Sequence, residues 1–219
     1  MTSLTDAQAE SLGQPGIAIG LNGLTSLTDQ QAESLAKNGR SLALDGLTSL
    51  TDRQAESLAQ AGLLTLAGLT SISDAQAESL GHVKQLRLGG LTSMNDAQAE
   101  SLGQVEVGIN LDGLTEITDR QAASLGKDKG WYSFIELNGL RSLTDQQAES
   151  LSLGEVSELS LNGLTSLSDQ QAKSLSRVGR GVYLDGLTSL TDAQAASLGQ
   201  VKEFLSLRGL GSNEGKEAR

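Results

Sequence analysis

The sequence has no cysteine, one histidine, one proline and five aromatic residues in 219 positions. Without cysteine the chain forms neither disulfides nor thiolate metal sites, although this does not decide its compartment. A serine nucleophile needs a histidine and an orienting acid, and His82 is the only histidine. There is also no glycine-rich phosphate loop, no cysteine–histidine cluster and no distinctive carboxylate pair. The sequence therefore predicts a protein that is not an enzyme and has no cofactor or metal.

Long apolar runs and basic tracks are also missing. No run approaches the roughly 18 apolar residues of a membrane-spanning helix, and there is no signal-peptide pattern, so we expect a soluble chain without membrane insertion. The formal charge is -11, from 27 acidic and 16 basic residues. Eighteen of the acids recur at fixed positions of a repeated pattern, and the basic residues are scattered among acids. We therefore expect no nucleic-acid partner, and we read the acidity as favouring solubility.

What the chain does contain is one pattern repeated nine times. Its fullest form is Gly-Leu-Thr-Ser-Leu-Thr-Asp-x-Gln-Ala-Glu-Ser-Leu, followed by a variable stretch and a short apolar alternation. The first glycine of the pattern returns every 22 to 26 residues, at Gly23, Gly46, Gly68, Gly90, Gly113, Gly139, Gly163, Gly186 and Gly209. A period of this length predicts a single array of about nine units over residues 1–210, followed by a polar tail at 211–219.

Each repeat predicts one strand and one helix. Apolar residues alternate before each glycine, as at Leu42 and Leu44, which is typical of a strand with one buried face. After the glycine, Thr, Ser or Asn is followed by Asp, any residue and Gln, as in Thr28-Asp29-Gln30-Gln31. This is a capping box that starts a helix of two to three turns.

Repeats of this kind must stack, because so short a helix is not stable alone. Stacking places the strands side by side in a parallel sheet and the helices on the opposite side. Helices are wider than the roughly 4.8 Å spacing of strands, so we expect the array to curve with its sheet on the concave face. The predicted class is an α/β solenoid.

The segment Leu-x-Leu-x-Gly-Leu-Thr-Ser-Leu resembles the core of a leucine-rich repeat protein, of the bacterial type with repeats of 22–24 residues. The resemblance covers the chain from Met1 to about Leu210. It implies an α/β fold with short helices on the convex face and a binding role. In many members an Asn after the strand forms a ladder of side-chain bonds, and here Leu24, Leu47, Leu69 and their equivalents take that place.

Two polar columns have structural explanations. Asn or Asp stands before the repeat glycine in six repeats and favours a turn; a row of calcium ligands is the alternative, although Ala67 and Gly89 interrupt it. Gln31 and its eight equivalents fit the capping box, and a ladder of side-chain bonds between repeats is a further hypothesis.

The positions that vary point outward from the strands, three and five residues before each glycine. Relaxed surface drift is the alternative to selection for binding. Drift should also have changed the constant part of the repeat, which we call the frame, yet frame positions such as Thr25 and Ser34 scarcely change between repeats. All five aromatic residues lie at these outward positions or in the variable stretches, where aromatic side chains commonly anchor interfaces. From the fourth to the eighth strand we predict a ligand-binding patch of Gln85, Arg87, Asn110, Trp131, Tyr132, Phe134, Glu136, Glu158, Ser160 and Tyr183.

The sequence therefore predicts a non-enzymatic recognition module for a protein or peptide. A glycan-binding surface module and a structural or self-assembling spacer are the alternatives. Self-association through the ends of the array is a further expectation, because terminal repeats normally need polar caps.

Overall fold

The computed structural model describes residues 3–127, 133–154 and 156–211. The chain forms two compact units, Met1–Gly113 and Leu114–Arg219. In both, a helix is followed by a strand, and the pair recurs once per sequence repeat.

Within the described residues there are nine helices: α1 Asp6–Leu12, α2 Asp29–Ala36, α3 Asp52–Leu58, α4 Asp74–Leu80, α5 Asp96–Leu102, α6 Asp119–Leu125, α7 Asp145–Leu153, α8 Asp169–Leu175 and α9 Asp192–Leu198. The same residues form nine strands: β1 Ile19–Gly20, β2 Ser41–Ala43, β3 Leu63–Thr65, β4 Gln85–Arg87, β5 Gly108–Asn110, β6 Phe134–Glu136, β7 Glu158–Ser160, β8 Gly181–Tyr183 and β9 Phe204–Ser206. None of the described helices is long and apolar enough to cross a membrane.

Every one of these helices begins with the predicted capping box. At α2 the Thr28 hydroxyl accepts a 3.1 Å bond from the Gln31 backbone N–H, and Gln31 Oε1 accepts a 3.0 Å bond from the Thr28 N–H. Asp29, in the first turn, lies at the positive end of the helix dipole. The helices have seven to nine residues, so they depend on packing for stability.

The strands are parallel and pair in the order of the chain. In the first unit β1 to β5 lie side by side, and in the second unit β6 to β9 do the same. Equivalent residues of neighbouring repeats are partners, as in Leu42↔Leu64 and Leu159↔Val182. The repeats are therefore stacked in phase, and the predicted α/β solenoid is confirmed.

The core lies between the sheet and the helices. Its side chains are the inward strand residues, the leucine after the repeat glycine, and an alanine and a leucine from each of the helices α2 to α8, such as Ala32 and Leu35. Leu111, an inward residue of the apolar alternation before Gly113, is 0% exposed. Each fully buried leucine stabilises the fold by roughly 1.5–3 kcal/mol relative to an exposed one.

The repeat glycine is required by the close approach of neighbouring turns. A Cβ atom at Gly68 would lie 2.3 Å from the Asp45 carbonyl oxygen and 2.5 Å from that of Leu47. Gly46, Gly163 and Gly186 meet the same obstruction from the preceding repeat. The turn signal read from Asn-Gly and Asp-Gly is therefore also a packing requirement between repeats.

Within each unit, polar frame residues connect neighbouring repeats. The first-turn Asp accepts a bond from the side chain that caps the following helix, as from Thr51 Oγ1 to Asp29 Oδ1 at 2.9 Å and from Ser73 Oγ to Asp52 Oδ1 at 2.8 Å. The capping Gln donates its Nε2 to a carbonyl of the preceding repeat, as from Gln98 to Ile72 O at 2.9 Å. The predicted glutamine ladder is confirmed within each unit, with the donors Gln31, Gln54, Gln76, Gln98, Gln147, Gln171 and Gln194.

Leucines at the first and last repeats are more exposed than their equivalents elsewhere. Leu4 and Leu12 in the first repeat, and Leu205 and Leu207 in the last, are only partly buried. Self-association through these surfaces stays a prediction. Residues 212–219 of the predicted tail lie outside the described part of the chain, so the tail also stays a prediction.

Candidate binding surface on the sheet

The outward side chains of the second unit form two rows across β6 to β9. The strand register makes Phe134, Glu158, Gly181 and Phe204 successive partners in one row. The other row runs through Glu136, Ser160, Tyr183 and Ser206. The stacking of the repeats thus brings five predicted site residues, Phe134, Glu136, Glu158, Ser160 and Tyr183, onto one face.

Tyr183 joins the two rows. Its hydroxyl donates a 3.3 Å hydrogen bond to Glu158 Oε2, and its ring lies 5.1 Å from that of Phe204 at an interplanar angle of 42°. Phe204 is 47% exposed, which is unusual for so large an apolar side chain. We call Glu158, Gly181, Tyr183 and Phe204 the Tyr183 cluster.

Gly181 lies between the two flanking side chains of this cluster. A Cβ atom built at this position would lie 3.6 Å from Glu158 Cγ and 3.6 Å from Phe204 Cβ. The flanking side chains therefore converge above the glycine, and Gly181 itself is buried beneath them. The backbone here needs no unusual conformation, since Gly181 is not among the described glycines with positive φ.

The cluster disfavours ionisation of the tyrosine. Burial raises the pKa of Tyr183 above its ordinary value, and the charge of Glu158 and its hydrogen bond raise it further. The positive charge of Arg208 acts in the opposite direction and is smaller. The Tyr183 hydroxyl therefore stays protonated and donates to the carboxylate at neutral pH.

Ser160 and Ser206 have partners within the frame. Ser160 Oγ donates to Asn138 Oδ1 at 2.7 Å and accepts from Asn162 Nδ2 at 3.0 Å. Ser206 Oγ donates to Asp185 Oδ1. Burial opposes ionisation of Asp185, but this bond, the one from the Arg208 backbone N–H and the charge of Arg208 together lower the pKa of Asp185. Ser160 thus belongs to the predicted patch and also has a structural role.

The other predicted residues lie on β4 and β5 of the first unit. Arg87 and Asn110 are register partners, and Gln85 lies beside Gly108. Arg87 is exposed and Gln85 is half-buried. Asn110 points outward as predicted, but it is only 9% exposed, and its Nδ2 donates a 2.7 Å bond to Asp112 Oδ2. It therefore offers little surface to a ligand.

Sequence reasoning missed two members of the Tyr183 cluster. Phe204 and Gly181 were both recognised as outward residues, but the predicted patch ended at the eighth strand and omitted the glycine between its acidic and aromatic neighbours. The available signal was the alignment of Glu158, Gly181 and Phe204 at the same position of three successive repeats. Trp131 and Tyr132 lie outside the described residues, so their place at the rim of the patch stays a prediction.

No protein-family model matches the chain, and no curated protein matches it in sequence. Among solved structures, an internalin, InlF, from Listeria monocytogenes is similar over 93% of this chain and 69% of its own. The TM-score is 0.54 and the sequence identity 14%. The chain has a leucine-rich-repeat fold. At this identity the likeness concerns the fold alone.

The leucine-rich-repeat fold explains the Asn and Asp column before the repeat glycine. Asn22 Oδ1 accepts the Asp45 backbone N–H at 3.2 Å, and Asp45 Oδ1 accepts the Ala67 N–H at 2.9 Å. In the second unit Asn138 Oδ1 accepts the backbone N–H of Asn162, and Asn162 Oδ1 accepts that of Asp185, each one repeat further along the chain. A ladder of side-chain bonds is therefore present, and it is formed by the residue before the repeat glycine instead of by the position that Leu24 and its equivalents occupy.

These bonds explain the column without a cation. Among the described residues no three His, Cys, Asp or Glu side chains are grouped so that they could hold a metal ion. The oxygens of the column that face the next repeat are used by backbone and hydroxyl donors instead.

Proposed function

We propose that this chain is a non-enzymatic recognition module that binds a protein or peptide on the outward face of β6 to β9. The observation that carries the proposal is the pair formed by the half-buried Tyr183 ring and the exposed Phe204 ring on this face. An aromatic residue on the outer face of a sheet contributes little to a core that leucines already fill. Rigid aromatic side chains of this kind are the commonest anchors of protein interfaces.

The contrast between frame and strand residues supports this function. The polar frame residues bond to one another through the caps, the glutamine ladder and the Asn/Asp ladder. Their groups are committed to holding the repeats together. The outward strand residues differ from repeat to repeat, and the leucine-rich-repeat fold displays them side by side.

The test is selection of a phage library of random dodecapeptides on the immobilised chain. Selected peptides should bind at least tenfold more weakly to Tyr183→Ala, a loss of about 1.4 kcal/mol. Phe204→Ala should have a similar effect, and thermal unfolding of both variants should match that of the parent. Gln170→Ala, on the exposed side of α8, is the matched control and should leave binding unchanged.

Two outcomes would contradict the proposed site or the proposed class of ligand. Peptides that bind Tyr183→Ala and Phe204→Ala as well as the parent would place the binding site outside β6 to β9. If selection enriches no peptide while a glycan array gives ligands that depend on Tyr183, the glycan-binding alternative replaces this proposal. Trp131→Ala in the same assays tests whether the predicted rim contributes.

A further inference from the structure

Two carboxylates of the second unit, those of Glu158 and Asp185, differ in what they bind. Asp185 accepts bonds from the Ser206 hydroxyl and the Arg208 backbone N–H, and its Oδ2 lies 4.0 Å from Arg208 Nε. Glu158 accepts only the Tyr183 hydroxyl from the described residues, through Oε2. Its other oxygen, Oε1, therefore has no hydrogen-bond donor in the part of the chain that the structure describes.

Glu158 also lies beside aromatic surface. The Tyr183 ring that bonds to it is in contact with the Phe204 ring, and nearly half of Phe204 is exposed. An aromatic face attracts a cation within about 6 Å of its centroid, and a nearby carboxylate adds a charge-assisted hydrogen bond. A half-buried carboxylate next to two rings therefore favours a cationic group over a neutral or acidic one.

We propose that the Tyr183 cluster binds an arginine side chain of the partner, so that the ligand of this module is a basic peptide segment. This rests on the proposed function and names the chemistry of its ligand. The planar guanidinium pairs with a carboxylate through two N–H groups and stacks on a ring, whereas a lysine ammonium does only the first as a point charge. Lysine is therefore the weaker occupant.

The positive charge of Arg208 weakens the attraction of the Tyr183 cluster for a cation. Its side chain is 82% exposed and its charge reaches Tyr183, so it repels an incoming cation. Replacing Arg208 by glutamine should tighten binding of a basic peptide and leave binding of a neutral one unchanged. This difference between the basic and the neutral peptide distinguishes recognition of charge from simple apolar contact.

The direct test uses three short acetylated and amidated Gly-Ser peptides that differ at one central residue: arginine, its neutral isostere citrulline, or glutamate. Each is titrated into the ¹⁵N-labelled chain. The arginine peptide should shift the backbone amide signals of Gly181, Tyr183 and Phe204 and bind at least about threefold more tightly than citrulline, with glutamate weakest.

Variants then assign the contacts. Glu158→Gln keeps the size of the side chain and should weaken arginine binding roughly fivefold while leaving citrulline binding unchanged. Gly181→Leu should abolish binding by separating Glu158 from Phe204, and a thermal unfolding scan checks that the fold is kept. Tyr183→Phe keeps the ring and releases Glu158, so it should retain arginine binding.

Equal binding of arginine and citrulline, or arginine binding that survives Glu158→Gln, would overturn the proposal. The phage selection separates this failure from failure of the proposed function. Selected peptides that need Tyr183 but lack basic residues would leave the recognition function intact and remove arginine from it.

Discussion

Asp29 Oδ1 accepts a 2.9 Å hydrogen bond from the hydroxyl of Thr51, the residue that caps the helix of the following repeat. The same aspartate stands in the first turn of its own helix. One carboxylate thus stabilises the dipole of one helix and orients the cap of the next. The first role follows from the position of Asp29 within its own repeat, whereas the second depends on how the repeats stack.

The bond from Ser73 to Asp52 provides a test of this second role. Asp52→Ala removes both the dipole interaction and the 2.8 Å bond, and we expect a loss of about 1–2 kcal/mol in the free energy of unfolding. Asp192→Ala is the matched control, because Asp192 has no such bond from any described residue, and it should cost only the dipole share, about 0.3–1 kcal/mol. Urea unfolding measures both, and equal losses would contradict the second role.

The glutamine ladder predicts an unusual intolerance to glutamate. A capping box accepts Glu or Gln equally, yet all nine repeats have Gln. Gln98→Glu keeps the acceptor for the Asn95 N–H but loses the 2.9 Å donation to Ile72 O and turns a negative charge toward that carbonyl.

We therefore expect Gln98→Glu to destabilise the fold by about 1–3 kcal/mol at neutral pH, because a part-buried acceptor loses its donor. Gln8→Glu is the control, since Gln8 is exposed and its Nε2 donates to no described residue. Thermal unfolding should show a loss for the first variant only. A loss of similar size for both would mean that capping alone selects glutamine.

Replacing a glycine by alanine should destabilise the fold where the neighbouring turn is close, and should not do so where there is open space. Gly68→Ala places a methyl group 2.3 Å from a backbone carbonyl oxygen, so the neighbouring turn must move, at a cost of about 1–3 kcal/mol or more. At Gly20, where a Cβ atom would have no neighbour within 4 Å, the same change should be neutral. Circular dichroism melts compare the two, and a neutral Gly68→Ala would show that the turns are less tightly stacked than described.

The pKa of Tyr183 should fall when its carboxylate partner becomes neutral. Glu158→Gln removes the charge that raises this pKa, although burial continues to raise it. Absorbance titration at alkaline pH in a Tyr132→Phe background follows Tyr183 alone. An unchanged titration curve would mean that Glu158 does not contact the hydroxyl in solution.

The free energy of unfolding should depend on the ionisation of Asp185 at acid pH. Its pKa is lower in the folded chain than the ordinary value of 3.8, so the ionised form is favoured by folding. The contribution is complete above that value and is lost as pH falls through the folded pKa. The free energy of unfolding of the parent relative to Asp185→Asn should therefore decline below about pH 4, and a difference independent of pH would contradict the assignment.

Local and periodic features were predictable from the sequence, whereas bonds between repeats were not. The capping boxes, the strand positions and the burial of Leu111 follow from spacing within one repeat. The Asp29–Thr51 bond joins residues 22 positions apart, and its formation depends on how closely the repeats stack. The burial of Asn110 likewise depends on Asp112 and on the absence of a side chain at Gly89.

The strand spacing of the second unit also limits how many residues of a peptide the outward face can recognise. Three steps from β6 to β9 span about 14 Å, the length of roughly four residues in an extended peptide. Side chains on one side of such a peptide are about 6.8 Å apart, whereas the strands are about 4.8 Å apart. Because these two spacings differ, successive side chains of the peptide cannot all lie over equivalent positions of successive strands. A peptide crossing these strands would therefore be recognised through one or two anchoring residues, and its remaining positions would be free to differ among ligands.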